Sequence, residues 1–176
     1  MIRKFSLSAL LIIGVVASGM AQSNSRPQFN ISADAGSQVS NRYREHSSVF
    51  GGALGFKYPV SANAAVAFSA GYTAFVTAEK VVGGDIIVPE TFHAIPLKAG
   101  VRYYLFKGLF GEGQVGAAIG TNKNARSGFL YTPGIGYEFT EGYSFGIRYE
   151  SWLYRQTQLY NKSQLNHIAF RFSYAF

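Results

Sequence analysis

The chain is 176 residues long and has no cysteine, a length that suits one domain and a composition that excludes disulfides and a lipoprotein anchor. It carries 16 Lys and Arg against 9 Asp and Glu, a formal +7, but the bases stand singly between apolar residues, which argues against a nucleic-acid surface. Hydrophobic residues make up 48%, with 15 Phe and 12 Tyr, yet beyond the first twenty-one residues no apolar run is long enough for a spanning helix.

Met1 to Ala21 has a basic head (Arg3, Lys4), an apolar stretch from Leu7 to Ala17 and a small-residue exit at Gly19-Met20-Ala21. This order of features predicts a secretory signal peptide, residues 1–21, and a mature domain over 22–176 that starts at Gln22. Without Arg3 and Lys4 the mature chain keeps 14 bases against 9 acids, a charge of +5.

The mature chain reads as strands of alternating side-chain character. The first, Phe29–Ser40, sets Phe29, Ile31, Ala33, Ala35 and Val39 against Asn30, Ser32, Asp34, Gly36 and Gln38. After a polar loop at 41–47, the second, Ser48–Tyr58, sets Phe50, Leu54, Phe56 and Tyr58 against Gly51, Ala53, Gly55 and Lys57. A tight turn at 59–63 leads to the third, Ala64–Val76, with Val66, Phe68, Ala70, Tyr72 and Val76 on one face. The longest connection, Thr77–Phe92, follows.

The fourth strand, His93–Leu105, opposes Ile95, Leu97, Val101, Tyr103 and Leu105 to Lys98, Gly100, Arg102 and Tyr104. Beyond the turn at 106–108, the fifth, Leu109–Thr121, opposes Val115, Ala117 and Ile119 to Glu112, Gln114, Gly116 and Ala118. The sixth, Ser127–Phe139, and the seventh, Tyr143–Tyr154, flank a third short turn and carry Glu138, Arg148, Glu150 and Trp152 on their less greasy faces. The eighth, Leu165–Phe176, puts Ile168, Phe170, Phe172, Tyr174 and Phe176 on one face and His167, Arg171 and Ser173 on the other.

Eight strands with alternately long and short links predict an all-β, eight-stranded antiparallel transmembrane up-and-down barrel, greasy face outward and both termini on the periplasmic side. Strands of this length cross a bilayer when tilted, and eight of them enclose only enough room for their own side chains. A soluble eight-stranded carrier would need the greasy face inside. Two prolines strain the pattern, since Pro removes a ladder donor: Pro96 is placed at the rim, and Pro133 at a bulge or an early end of pairing.

The runs GVRYYLF (Gly100–Phe106), FGEGQVGAAIG (Phe110–Gly120) and TPGIGYEF (Thr132–Phe139), with Tyr174-Ala175-Phe176, resemble the small outer-membrane barrels of the OmpA/OmpX type. That resemblance spans the mature chain and implies a Gram-negative outer-membrane protein. It also implies that Tyr174 and Phe176 resemble the signal read by the barrel-assembly machinery. Members differ in role, so the fold leaves function open.

On these phases Asp34, Lys57, Lys98, Arg102, Glu112, Glu138, Arg148, Glu150 and Arg171 point inward, and Arg102 with Glu112 and Glu138 with Arg148 are candidate neighbours. Charges in a narrow lumen must pair, so an ion-pair plug is expected; the sharper alternative is a gate for small solutes, a porin-like channel. The balance of signs argues against a selective pore.

A lipid A-modifying enzyme is the other alternative, but His46, with Glu45, Ser47 and Ser48 beside it, lies in a loop that fixes none of them, and neither His93 nor His167 has a serine two residues away on the same face, so no enzyme is expected. Neither a metal site nor a cofactor loop is present in the pattern. The loops carry Arg42, Arg44, Lys80, Lys123, Arg126, Arg155 and Lys162, candidate contacts for lipopolysaccharide phosphates. The expected partners are outer-membrane lipid, lipopolysaccharide and the assembly machinery, with the protein itself a monomer and its role structural or surface-interactive.

Overall fold

The computed structural model describes residues 26–39, 47–77, 80–82, 85–87, 91–121, 127–139, 142–154 and 163–176. Ten strands occur in them: β1 (Gln28–Gln38), β2 (Ser47–Pro59), β3 (Ala64–Thr77), β4 (Lys80–Val82), β5 (Asp85–Ile87), β6 (Phe92–Tyr104), β7 (Leu109–Gly120), β8 (Gly128–Glu138), β9 (Tyr143–Tyr154) and β10 (Ser163–Ala175). Eight of them close into an antiparallel barrel in the order β1-β10-β9-β8-β7-β6-β3-β2. The short β4 and β5 pair only with each other.

Closure follows from the alternation. Each barrel strand has one face of large apolar side chains, and these stay exposed on the outer wall: Leu54 at 65% and Val101 at 55% are examples. The inner face holds Lys57, Lys98, Arg148, Glu150 and His167, all buried. Such an inversion suits a lipid surround and a filled lumen.

Aromatic rings gather on the outer wall toward the short turns, where Phe29 meets Phe56 at 5.1 Å, Tyr137 meets Phe139 at 4.9 Å and Tyr143 meets Tyr174 at 4.9 Å. A second set, including Tyr72 and the Tyr131–Tyr149 pair at 6.4 Å, lies toward the long connections. Two bands with an aliphatic belt between them match the aromatic girdles of a membrane barrel.

At the short-turn end, Gly108 and Gly142 take positive φ values of 76° and 85°, which a side chain would strain. Their carbonyl oxygens accept from Glu138 N at 2.7 Å and Ala175 N at 2.9 Å, so each turn is tied to a strand beside it.

The structure departs from the sequence reading at three places. The 77–92 connection contains the β4–β5 hairpin, and Phe92 belongs to β6. Pro96 lies inside β6, buried, and not at a rim: the β3–β6 ladder runs Ala70 with Leu97, then Thr73 with Ala94, and skips the Pro96 level. Pro133 is neither a bulge nor a strand end. The β8–β9 ladder opens between Tyr131–Ser151 and Gly134–Arg148 and resumes in the same register, while on the other side Pro133 stays paired with Gly113. A residue with no N–H interrupts one ladder and leaves the other intact.

Candidate functional site

The interior is built in two layers. Toward the short turns, Lys57 Nζ donates to both Glu138 oxygens at 2.8 Å and to Tyr104 Oη at 2.9 Å, and Tyr104 donates to Glu138 at 2.9 Å. Arg102 bridges two acids: Nη1 reaches Glu138 at 2.9 Å, while Nε and Nη2 reach Glu112 at 2.9 and 2.7 Å. The other Glu112 oxygen accepts from Arg148 Nη2 at 3.0 Å. The Arg102 guanidinium also lies 3.8 Å from the centre of the Phe110 ring, close enough for a cation–π contact.

Asp34 and Arg171 pair in parallel across the β1–β10 seam, with Nε to Oδ1 at 2.7 Å and Nη2 on Oδ2. This fork-to-fork form fixes direction as well as charge. Higher in the lumen, Lys98 donates to Glu150 at 2.7 Å, and both side chains are only 3% exposed. Glu150 also accepts from Thr132 Oγ1 at 3.1 Å and from the indole Nε1 of Trp152 at 2.6 Å.

Above Glu150, toward the long connections, the lining turns apolar. Val49, Phe75, Ala94, Ala118, Leu130 and Trp152 form one buried cluster, with Phe92 and Leu165 against it. Phe75 packs edge-on to Trp152 at 5.1 Å and to His167 at 5.3 Å. Sequence reasoning placed Trp152 inward but did not assemble this cap, because its members come from seven strands and Phe92 was read as loop. The signal that could have found it is the run of inward apolar residues one or two positions from each long connection.

All nine inward charges of the sequence reading therefore share one lumen, in which Arg102 meets Glu112 as the spacing suggested. Glu138 and Arg148 do not pair. Glu138 is taken by Lys57 and Arg102, and Arg148 by Glu112, since long side chains reach across the barrel as easily as along a hairpin. Two small spaces lie between them, of about 20 and 10 Å³, the size of a single water each.

On the outer wall, Tyr174 and Phe176 stack with ring centres 6.5 Å apart, and Phe176 N donates to Phe29 O at 2.9 Å. His93 faces outward and its Nδ1 lies 2.8 Å from Tyr72 Oη. His46, the 1–21 segment and the loop bases Arg42, Arg44, Lys123, Arg126, Arg155 and Lys162 lie outside the described residues, as does the side chain of Lys80. No group of three or more metal-ligating side chains occurs among the described residues.

No protein-family model matches this sequence, and no curated protein matches it either. Solved structures do. The outer membrane enzyme PagL is similar over 82% of this chain and 98% of its own, at 14% identity and a TM-score of 0.60. Ail, the attachment invasion locus protein of Yersinia pestis, aligns over 85% of this chain and 97% of its own at 12% identity and 0.54. The N-terminal barrel domain of Pseudomonas aeruginosa OprF does so over 85% and 97% at 15% and 0.53. The chain thus has the fold of the small eight-stranded outer-membrane barrels, a fold that carries an enzyme in one neighbour and an attachment protein in another.

Proposed function

We propose that this is an outer-membrane protein with a sealed lumen, and that it acts as a structural or surface-interaction protein through its long connections. The observation that supports this reading is the two-layer filling of the interior, an ion-paired network under an aromatic and aliphatic cap. Conduction requires a wetted path or a set of charges that can rearrange, and here each acid already holds at least one base. Residues 1–21 would direct export. The short turns would face the periplasm, and Arg42, Arg44, Lys123, Arg126, Arg155 and Lys162 would meet the anionic outer leaflet, each nearby base contributing about 1 kcal/mol. Purified protein in a planar bilayer should give no conductance above baseline. A steady conductance would overturn the sealed reading.

A second reading, a lipid-modifying enzyme, is favoured by one observation, the outward His93 held by Tyr72 at the level of the upper aromatic band. Mass spectrometry of lipid A from cells with and without the protein decides it: an unchanged acylation pattern removes the enzyme.

A further inference from the structure

The lumen holds Lys57, Lys98, Arg102, Arg148 and Arg171 against Asp34, Glu112, Glu138 and Glu150, so its ion pairs leave one positive charge over. An excess charge enclosed away from bulk water is strongly unfavourable. Three of the five bases, Arg102, Arg148 and Arg171, line the same cavity of about 20 Å³ together with Glu112, Ser144 and Ser173. Arg102 has Nε, Nη1 and Nη2 engaged, and Arg171 is committed in parallel to Asp34.

Arg148 differs. Only its Nη2 is bonded, to Glu112, and Nη1 has no hydrogen-bond partner although the side chain is just 6% exposed. Guanidinium donors left unpaired in an interior are costly and uncommon. Ser144 and Ser173, cross-strand neighbours on β9 and β10, are both buried on the wall of that cavity.

We propose that this cavity binds one small monovalent anion of the halide class, held by the Arg148 guanidinium with the Ser144 and Ser173 hydroxyls as further donors. Arg102 and Arg171 add to the positive field. A water molecule can satisfy the open N–H, but a halide satisfies it and neutralises the excess charge as well. The space is small, about 20 Å³, which favours a monatomic ion over sulfate or phosphate. The neighbouring space of about 10 Å³ is smaller and sets Asp34 and Glu150 against Lys98, Arg148 and Arg171, so its wall is less positive than that of the larger one.

The inference rests on the sealed-lumen reading, because an open watery channel would dissipate the charge excess. Its test is urea unfolding of the whole barrel, refolded in detergent, at one ionic strength in sodium chloride, sodium bromide or sodium gluconate. Chloride and bromide should stabilise and gluconate should not; above the dissociation constant, tenfold more halide should raise the folding constant about tenfold. Arg148→Met should abolish the halide dependence. Because that change also takes a partner from Glu112, the double variant Ser144→Ala/Ser173→Ala, which keeps every ion pair, serves beside it and should weaken the halide dependence at least about threefold. Crystals grown in bromide should show anomalous signal beside Arg148. Equal stabilisation by gluconate, full halide dependence in both variants, or water alone in the bromide map would each overturn the proposal. A halide-insensitive barrel that does not conduct defeats this inference alone, whereas bilayer conductance defeats the sealed reading first.

Discussion

Glu150 joins the two layers of the lumen. One of its oxygens takes Lys98 and Thr132, the other takes the Trp152 indole, so a single carboxylate anchors both the ion pair and the aromatic cap. Glu150→Gln leaves a buried ammonium without its counter-charge and should cost about 3–5 kcal/mol in urea unfolding. Adding Lys98→Met should recover much of that loss, since the amide oxygen can still accept from the Trp152 indole while its NH2 group donates to the Thr132 hydroxyl. Single and double variants that add strictly would mean the two residues do not interact. At the outer wall, Phe29 and Phe176 are both exposed aromatics in contact through the Phe176 N–H. If assembly reads Phe176, removing it should lower outer-membrane yield well beyond Phe29→Ala, as judged by blotting of membrane fractions. Equal yields would make Phe176 ordinary packing.

At the scale of the strand, glycines divide by what a methyl group would meet. A Cβ on Gly100, on the inner face of β6, would collide with the Gly113 carbonyl oxygen and the Gln114 Cα of the next strand. A Cβ on Gly113, facing outward, meets nothing within 4 Å. Gly100→Ala should therefore destabilise the barrel by about 1–3 kcal/mol through overpacking, and Gly113→Ala should be within about 0.5 kcal/mol of the parent, read by urea titration. The period-two alternation made the eight barrel strands legible in the sequence, together with the inward set from Asp34 to Arg171. Pairing was legible only where a short turn fixes the register, as for Arg102 and Glu112 across β6 and β7. Lys57 and Glu138 are 81 residues apart and meet across the lumen, so no local pattern encodes them. The β4–β5 hairpin escaped for a different reason: three residues a side give too little alternation to read.

Over the whole molecule the described interior is charged toward the short turns and mostly apolar toward the long connections. On the sealed-lumen reading each layer would block passage by different physics, one by fixed counter-charges and the other by lack of hydration. Phe75→Ala with Trp152→Ala should remove the dry layer and lower stability by about 3–5 kcal/mol per site, yet leave bilayer conductance at baseline because the ion pairs beneath persist. Current through that variant would show that the cap alone seals the barrel. The pairing of Asp34 with Arg171 adds a constraint in time, since it joins residues 137 positions apart along the chain. Seven of the eight barrel strands can be laid down in sequence by hairpins and a longer link, but this contact forms only after β10 exists. Closure entropy of that size makes the last step slow. Until it happens β1 and β9 present bare edges that invite pairing with other chains. A molecule arrested one strand short is not a narrower barrel; it is an open sheet with Asp34 waiting for its arginine.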